Sequence, residues 1–184
     1  TPLVILIKTL KIFLRVGEIV LNTCDVDQVW FMPCYKSLYE KKLSTSYDRI
    51  NMLGSALRHD RFSLNIWEIQ NKIEGRTYDI MDRFSEEFKC YDLKFVIGGD
   101  NVDKVPSKWY RGEELIDRFN FIIVPRVGYT PQTDWWKNPR HRIAESSDPN
   151  LAITGISSTE VRNKIKEKDF TILLQESPLP LGEG

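Results

Sequence analysis

Short apolar runs alternate along this chain with longer stretches whose apolar residues recur every three or four positions. Val29 to Pro33, Lys94 to Gly98, Phe119 to Pro125 and Leu151 to Ile156 have the length and the β-branched or aromatic content of buried strands. Leu10 to Leu21, Tyr47 to Leu57, Thr77 to Phe88 and Trp109 to Arg118 carry helical spacing. Val4 to Ile7 is apolar and β-branched enough to supply one more strand ahead of the first helix. This alternation predicts an α/β fold, a Rossmann-like parallel sheet flanked by helices, with ligands held beyond the carboxyl ends of the strands.

The polar residues that end the four strands sharpen the picture. Lys36, Lys41 and Lys42 follow Pro33; Gly98-Gly99-Asp100-Asn101 closes the second strand, Pro125-Arg126-Val127-Gly128 the third, and Ile156-Ser157-Ser158-Thr159 the last. Ser157 with Glu160 reads as a capping box, and Val161 with Ile165 begins an apolar stripe, so a helix is expected to start at the hydroxyls. Its first turn would present unpaired N–H groups, and Arg162 a guanidinium matched to phosphate oxygens. A capped helix by itself is commonplace. Four strand ends of this kind are not explained by one cap.

Length and composition narrow the alternatives. A chain of 184 residues fits one domain, expected over residues 1–170, with the Pro- and Gly-containing segment 171–184 as a disordered tail. Lys plus Arg equals Asp plus Glu at 26 each, which argues against nucleic acid or an anionic membrane as partner and makes any anion site local. Lys8 and Lys11 interrupt the N-terminal apolar stretch well short of a membrane span, so a soluble protein is expected. Cys24, Cys34 and Cys90 form no C-x-x-C pair and have no histidine nearby, which predicts neither a disulfide framework nor a zinc site. A reducing compartment, cytoplasmic or nuclear, follows. His59 and His141 read as surface residues rather than metal ligands. The polar segment Gly128 to Asn150 reads as a surface excursion that Trp135 and Trp136 fasten to the core.

Taken in order, several of these segments resemble the nicotinamide or nicotinate mononucleotide adenylyltransferases of the nucleotidyltransferase superfamily. They are Val29-Trp30-Phe31-Met32-Pro33 with its lysines, Arg49 and Met52, Arg76-Thr77-Tyr78-Asp79, Gly98-Gly99-Asp100-Asn101 with Trp109, Pro125-Arg126-Val127-Gly128, and the run from Ile156 to Arg162. The resemblance covers about Leu10 to Phe170. It implies a transfer of AMP from ATP to the 5′-phosphate of a pyridine mononucleotide, with Mg²⁺ on the ATP. It further implies that Ile156, Ser157, Ser158, Thr159 and Arg162 hold ATP, with Ser158, Thr159 and Arg162 on the reacting phosphates, and that Gly98 and Asp100 lie at its ribose. Lys36, Lys41, Thr77, Tyr78, Trp109 and Arg126 would take the mononucleotide, Trp109 by stacking on the pyridine. Taken alone, Trp109 also reads as a core residue opening the helix to Arg118.

The likeness lapses at both ends. The family opens with a Gly-x-Phe-x-Pro run and a His/Thr-x-Gly-His motif, whereas Thr1 to Thr9 contains neither glycine nor histidine and places Lys8 and Thr9 nearest those positions. The resemblance implies that the missing histidines donate to the ATP phosphates. A catalytically impaired nucleotide-binding relic is therefore the alternative to an active enzyme. Divergence at both ends around a matched middle is expected to reflect a truncated or mis-spliced product, or a frame error, which transcript sequencing would check.

Overall fold

Apolar residues on both sides of a strand require cover on both sides, and the sheet of this protein is built accordingly. The computed structural model describes residues 3–7, 11–36, 45–74, 76–126 and 128–145, with 3–7 and 11–13 described by their backbone. The strands are β1 (Leu3–Ile7), β2 (Gln28–Phe31), β3 (Phe62–Leu64), β4 (Asp92–Gly98), β5 (Asn120–Val124) and β6 (Arg142–Ile143). The helices are α1 (Lys11–Thr23), α2 (Ser46–Ala56), α3 (Trp67–Gln70), α4 (Thr77–Glu87), α5 (Lys104–Lys108) and α6 (Gly112–Arg118). All pairings are parallel, in the order β3-β2-β1-β4-β5-β6. This is the doubly wound order, whose direction reverses between β1 and β4.

Side-chain alternation splits the core into two layers. Trp30, Phe95, Ile97, Phe121 and Ile123 face one layer with α4, α5 and α6, while Val29, Phe31, Val96, Ile122 and Val124 face the other with α1 and α2. Register aligns like with like: Phe95 stands opposite Phe121, and Ile97 opposite Ile123. Phe95 and Phe121 meet edge to face at 6.0 Å, a geometry that favours aromatic pairs. On the first face α4 turns Ile80, Met81 and Phe84 inward. Its Phe84, with Phe88 and Tyr91, encloses the Trp30 ring at centroid distances of 6.0, 5.4 and 5.1 Å. On the second face Val16, Ile19 and Val20 of α1 follow the i, i+3, i+4 rule. Thr45 caps α2, its hydroxyl accepting from Asp48 N at 3.1 Å.

The expected strands over β2, β4 and β5 and the expected helices over α1, α2 and α4 are present, with ends shifted by one or two residues, and Leu3–Ile7 is a strand. The expected strand Leu151 to Ile156 and the tail 171–184 lie outside the described residues. Two readings are corrected. Trp109 does not open a helix: it is extended (φ −86°, ψ 144°) at the end of α5, and α6 starts only at Gly112, after Arg111 adopts a left-handed conformation (φ 52°). His141 is not a surface residue. It is 5% exposed, edge-on to Trp135 at 5.0 Å and Phe121 at 5.6 Å. His59 is exposed as expected.

Trp135 and Trp136 do fasten the loop before β6. Both pack against the first core layer, and Trp135 Nε1 donates to the Val102 carbonyl at 3.0 Å. Asp103 holds the same loop electrostatically: its carboxylate accepts from Tyr129 Oη at 2.6 Å, Thr133 Oγ1 at 2.7 Å, and the amides of Gln132 and Thr133. The hydroxyls of Tyr129 and Thr133, then the two amides, hold this carboxyl far below the usual carboxylate range.

His141 makes a measurable prediction. Its Nδ1 accepts from Phe121 N at 3.2 Å, so the neutral ring carries its proton on Nε2. Burial first, then the Arg140 charge, push its pKa from 6.5 down to about 4. Because the folded value is the lower one, the neutral ring stabilises the fold fully above pH 6.5, and that stability is lost as pH falls toward 4. A depression of this size corresponds to on the order of 3 kcal/mol. Urea unfolding at pH 7 and pH 4.5 is expected to show His141→Gln losing less stability over that interval than the wild type. An identical slope in both would remove His141 as the titrating group.

Candidate active site

The reversal of strand order between β1 and β4 leaves a crevice beyond their carboxyl ends. The chain leaves β4 through Gly98 and enters a single 3₁₀ turn at Gly99–Asn101. Asp100 on that turn meets Arg126 from the end of β5, with Nε 2.9 Å from Oδ1, while Lys104 Nζ stands 3.8 Å from Oδ2. Asp100 Oδ1, sealed from solvent, accepts no hydrogen bond among the described residues; the rest of the carboxylate, whose side chain is 31% exposed, is the part open to a donor such as a sugar hydroxyl. Gly98 makes the arrangement possible: a Cβ there would lie 2.7 Å from Asp100 Oδ1 and 3.5 Å from Arg126 Nε. Gly98, Asp100 and Arg126, separate in the chain, thus form one group.

A second group lies at the start of α4. Arg76 is its N-cap, without a side-chain cap bond, and Thr77 is its first residue. The guanidinium of Arg76 lies 4.2 Å over the Tyr110 ring, and that of Arg111 lies 3.9 Å over Tyr78. Arg111 is also forked onto Glu114 through Nε and Nη2, and Gly112 N donates to Trp109 O at 3.1 Å. These bonds hold Trp109 and Tyr110 beside the start of α4. Trp109 is half-buried, edge-on to Phe95 at 6.3 Å. Tyr78 is committed to the core, its hydroxyl accepting from Arg118 Nη1 at 3.2 Å.

The loop after β2 is tied down from two sides. Arg49 Nη2 donates to the Cys34 and Tyr35 carbonyls at 2.7 and 3.1 Å, and Tyr35 N donates to buried Glu68 at 2.8 Å. Lys36 pairs with Glu74 at 2.9 Å; that hydrogen bond, reinforced by the charge, raises the Lys36 pKa and links this loop to the one leading into α4. Lys41, Ile156, Ser157, Ser158, Thr159 and Arg162 lie outside the described residues. Glu68, Asp103 and Tyr110 carry no signal in the sequence. A lone acid on a four-residue helix, an acid at the N-cap of a five-residue helix and one exposed tyrosine leave no periodic signal.

A cleft of about 810 Å³ opens at the opposite edge, at the amino ends of β2 and β4. It mixes Asp25, Asp27 and Asp92 with Lys94, Lys137 and Arg142. Its charges are balanced, and it is remote from both groups. The three cysteines are free, Cys24 and Cys34 half-buried and Cys90 exposed. Burial, the larger effect, raises the Cys24 pKa. Among the described residues no helix is long and apolar enough to cross a membrane.

A doubly wound sheet with polar turns gathered at its reversal point is the architecture of mononucleotide-handling α/β proteins, and this chain has it. The cytidylyltransferase-like family matches residues 14–164. Two relatives carry the name "Probable nicotinate-nucleotide adenylyltransferase". The one from Oceanobacillus iheyensis is 33% identical over 124 residues, 66% of this chain and 64% of its own length. The one from Bacillus cytotoxicus is 31% identical over 158 residues, 84% of this chain and 78% of its own length. The chain belongs to the cytidylyltransferase-like family, in its nicotinate-nucleotide adenylyltransferase branch, which are nucleotidyltransferases of NAD biosynthesis. In fold it is similar to Plasmodium falciparum nicotinic acid mononucleotide adenylyltransferase complexed with NaAD. The TM-score is 0.78 at 20% identity, covering 98% of this chain and 92% of that one.

Proposed function

We propose that this chain transfers the adenylyl group of ATP to the 5′-phosphate of a pyridine mononucleotide, nicotinate mononucleotide foremost, releasing pyrophosphate. A phosphate oxygen of the mononucleotide attacks the α-phosphorus of ATP, and the bond to pyrophosphate breaks in line with it. No protein nucleophile takes part. The protein contributes by holding two anionic substrates in register and spreading the charge of the transition state. The observation that carries the reading is the pairing of Asp100 with Arg126, beyond the reversal point of the sheet. The names of the relatives support it, and so does the NaAD bound to the Plasmodium protein.

In this reading Gly98 and Asp100 serve the ATP ribose, with Ile156, Ser157, Ser158, Thr159 and Arg162 on its phosphates. Arg126, Lys36 and Lys41 attract the mononucleotide phosphate. Thr77, Tyr78 and Trp109 border the pyridine, Tyr78 through its backbone, since its ring is buried. Mg²⁺ would arrive on the triphosphate and shield its oxygens. Mg²⁺ is commonly held by substrate phosphates together with one or two carboxylates.

The test is pyrophosphate release by the purified protein with ATP, Mg²⁺ and nicotinate or nicotinamide mononucleotide, alongside calorimetric binding of each ligand. Turnover is the expected result. Mononucleotide binding without turnover would establish the impaired relic instead. Binding of neither ligand would refute the assignment.

A further inference from the structure

Three arginines surround the start of α4, and their partners differ. Arg111 is forked onto Glu114. Arg118 pairs with Asp82 and, at 3.8 Å, with Glu86. Arg76, exposed at the N-cap, has no carboxylate partner among the described residues; its guanidinium rests over the Tyr110 ring at 4.2 Å. Stacking of this kind restrains a guanidinium while leaving its N–H edge available to an anion. The N-terminal end of an 11-residue helix adds a positive field at the same place. Tyr110 follows Trp109, the residue that the proposed reading sets beside the pyridine.

We propose that Arg76 is the specificity-determining residue for the pyridine substituent, favouring the carboxylate of nicotinate mononucleotide over the isosteric, neutral carboxamide of nicotinamide mononucleotide. This rests on the adenylyltransferase reading above. Carboxylate and carboxamide have nearly the same shape, so the pocket walls distinguish them poorly, whereas a guanidinium forks onto a carboxylate with two charge-assisted bonds. The carboxamide offers it one neutral oxygen and a competing NH₂ donor. Tyr110 acts as a positioning residue, holding the guanidinium at this height. Arg111 and Glu114 hold Tyr110 in turn through the left-handed turn before α6. Because Arg76 is exposed and makes no cap bond, its replacement leaves α4 intact.

The experiment compares wild type, Arg76→Gln and Arg76→Lys on both mononucleotides. In Arg76→Gln, kcat/KM for nicotinate mononucleotide is expected to fall about ten- to a hundredfold. The fall should come through KM, with kcat and the value for nicotinamide mononucleotide within twofold of wild type. Arg76→Lys, which keeps the charge and loses the fork, should fall between. Equal losses on the two substrates, or an unchanged ratio, would overturn the proposal. If the wild type turns over neither substrate, the activity reading fails, and calorimetric binding of the two mononucleotides to the same proteins decides the inference. Selective loss of nicotinate mononucleotide binding in Arg76→Gln supports it. Equal binding by both proteins, or none by the wild type, refutes it.

Discussion

Gly112→Ala is expected to destabilise the protein more than any other single methyl addition among the described glycines. A Cβ at Gly112 would sit 1.8 Å from the Val105 carbonyl oxygen and 2.8 Å from its carbon. The obstacle is backbone, in α5, and Val105 is itself fully buried, so no side-chain rotation relieves the overlap. Either α5 or α6 must withdraw, pulling Val105, Leu115 and Ile116 from the first core layer. Such a change belongs with the largest single-residue effects, about 4 kcal/mol or more, or roughly 10 °C in Tm for a chain of this size. Thermal unfolding by circular dichroism reads it directly. A Tm within about 3 °C of wild type would show that the two helices can separate without cost to the core. Gly128→Ala is the control: its φ of 78° is strained for alanine, but a Cβ there meets nothing within 4 Å, so the cost should be about 1 kcal/mol.

Asp100→Ala is expected to have the larger effect on catalysis and a small one on stability. The carboxylate stands between Arg126 and Lys104 with each partner partly exposed, at 27% and 45%. Removing it costs the fold about 1 kcal/mol, in the range of partly screened ion pairs. Losing the proposed contact to the ATP ribose and the placement of Arg126 should lower kcat/KM for ATP about ten- to a hundredfold. Steady-state kinetics at varied ATP, with Tm measured alongside, separates the two. A Tm loss above about 5 °C with near-normal kinetics would mark Asp100 as a structural turn residue.

Both predictions draw on contacts that differ in how far the sequence announced them. Gly98-Gly99-Asp100 is legible in the sequence, because two glycines and an acid follow an apolar run of strand length. Gly112 gave no such signal, since its constraint is the carbonyl of a residue on another helix. Trp109 shows the limit of periodicity. Its spacing from Leu115 and Ile116 continues a helical pattern, yet Arg111 breaks the helix by turning left-handed, held there by Glu114 and by the Tyr78 ring. β3 and β6, of three and two residues, are too short for alternation to register and exist because neighbouring strands offer them hydrogen-bond partners. His141 sits among Pro139, Arg140 and Arg142, which reads as surface; only the packing of the loop by Trp135 buries it.

Local chemistry sufficed for the rest. The apolar periods of β2, β4, β5, α1, α2 and α4 are properties of consecutive residues, and hydrophobic burial acts on them the same way in any arrangement that covers both faces. The chain alone therefore determined an α/β protein with polar turns at its strand ends. Tertiary structure decided the strand order, which sets the reversal between β1 and β4. It also decided the meeting of Asp100 with Arg126, and of Arg76 with Tyr110. Those pairs are separated by 26 and 34 positions in the sequence. Charge attraction between such distant groups becomes effective only after the sheet and its helices have brought them within a few ångströms.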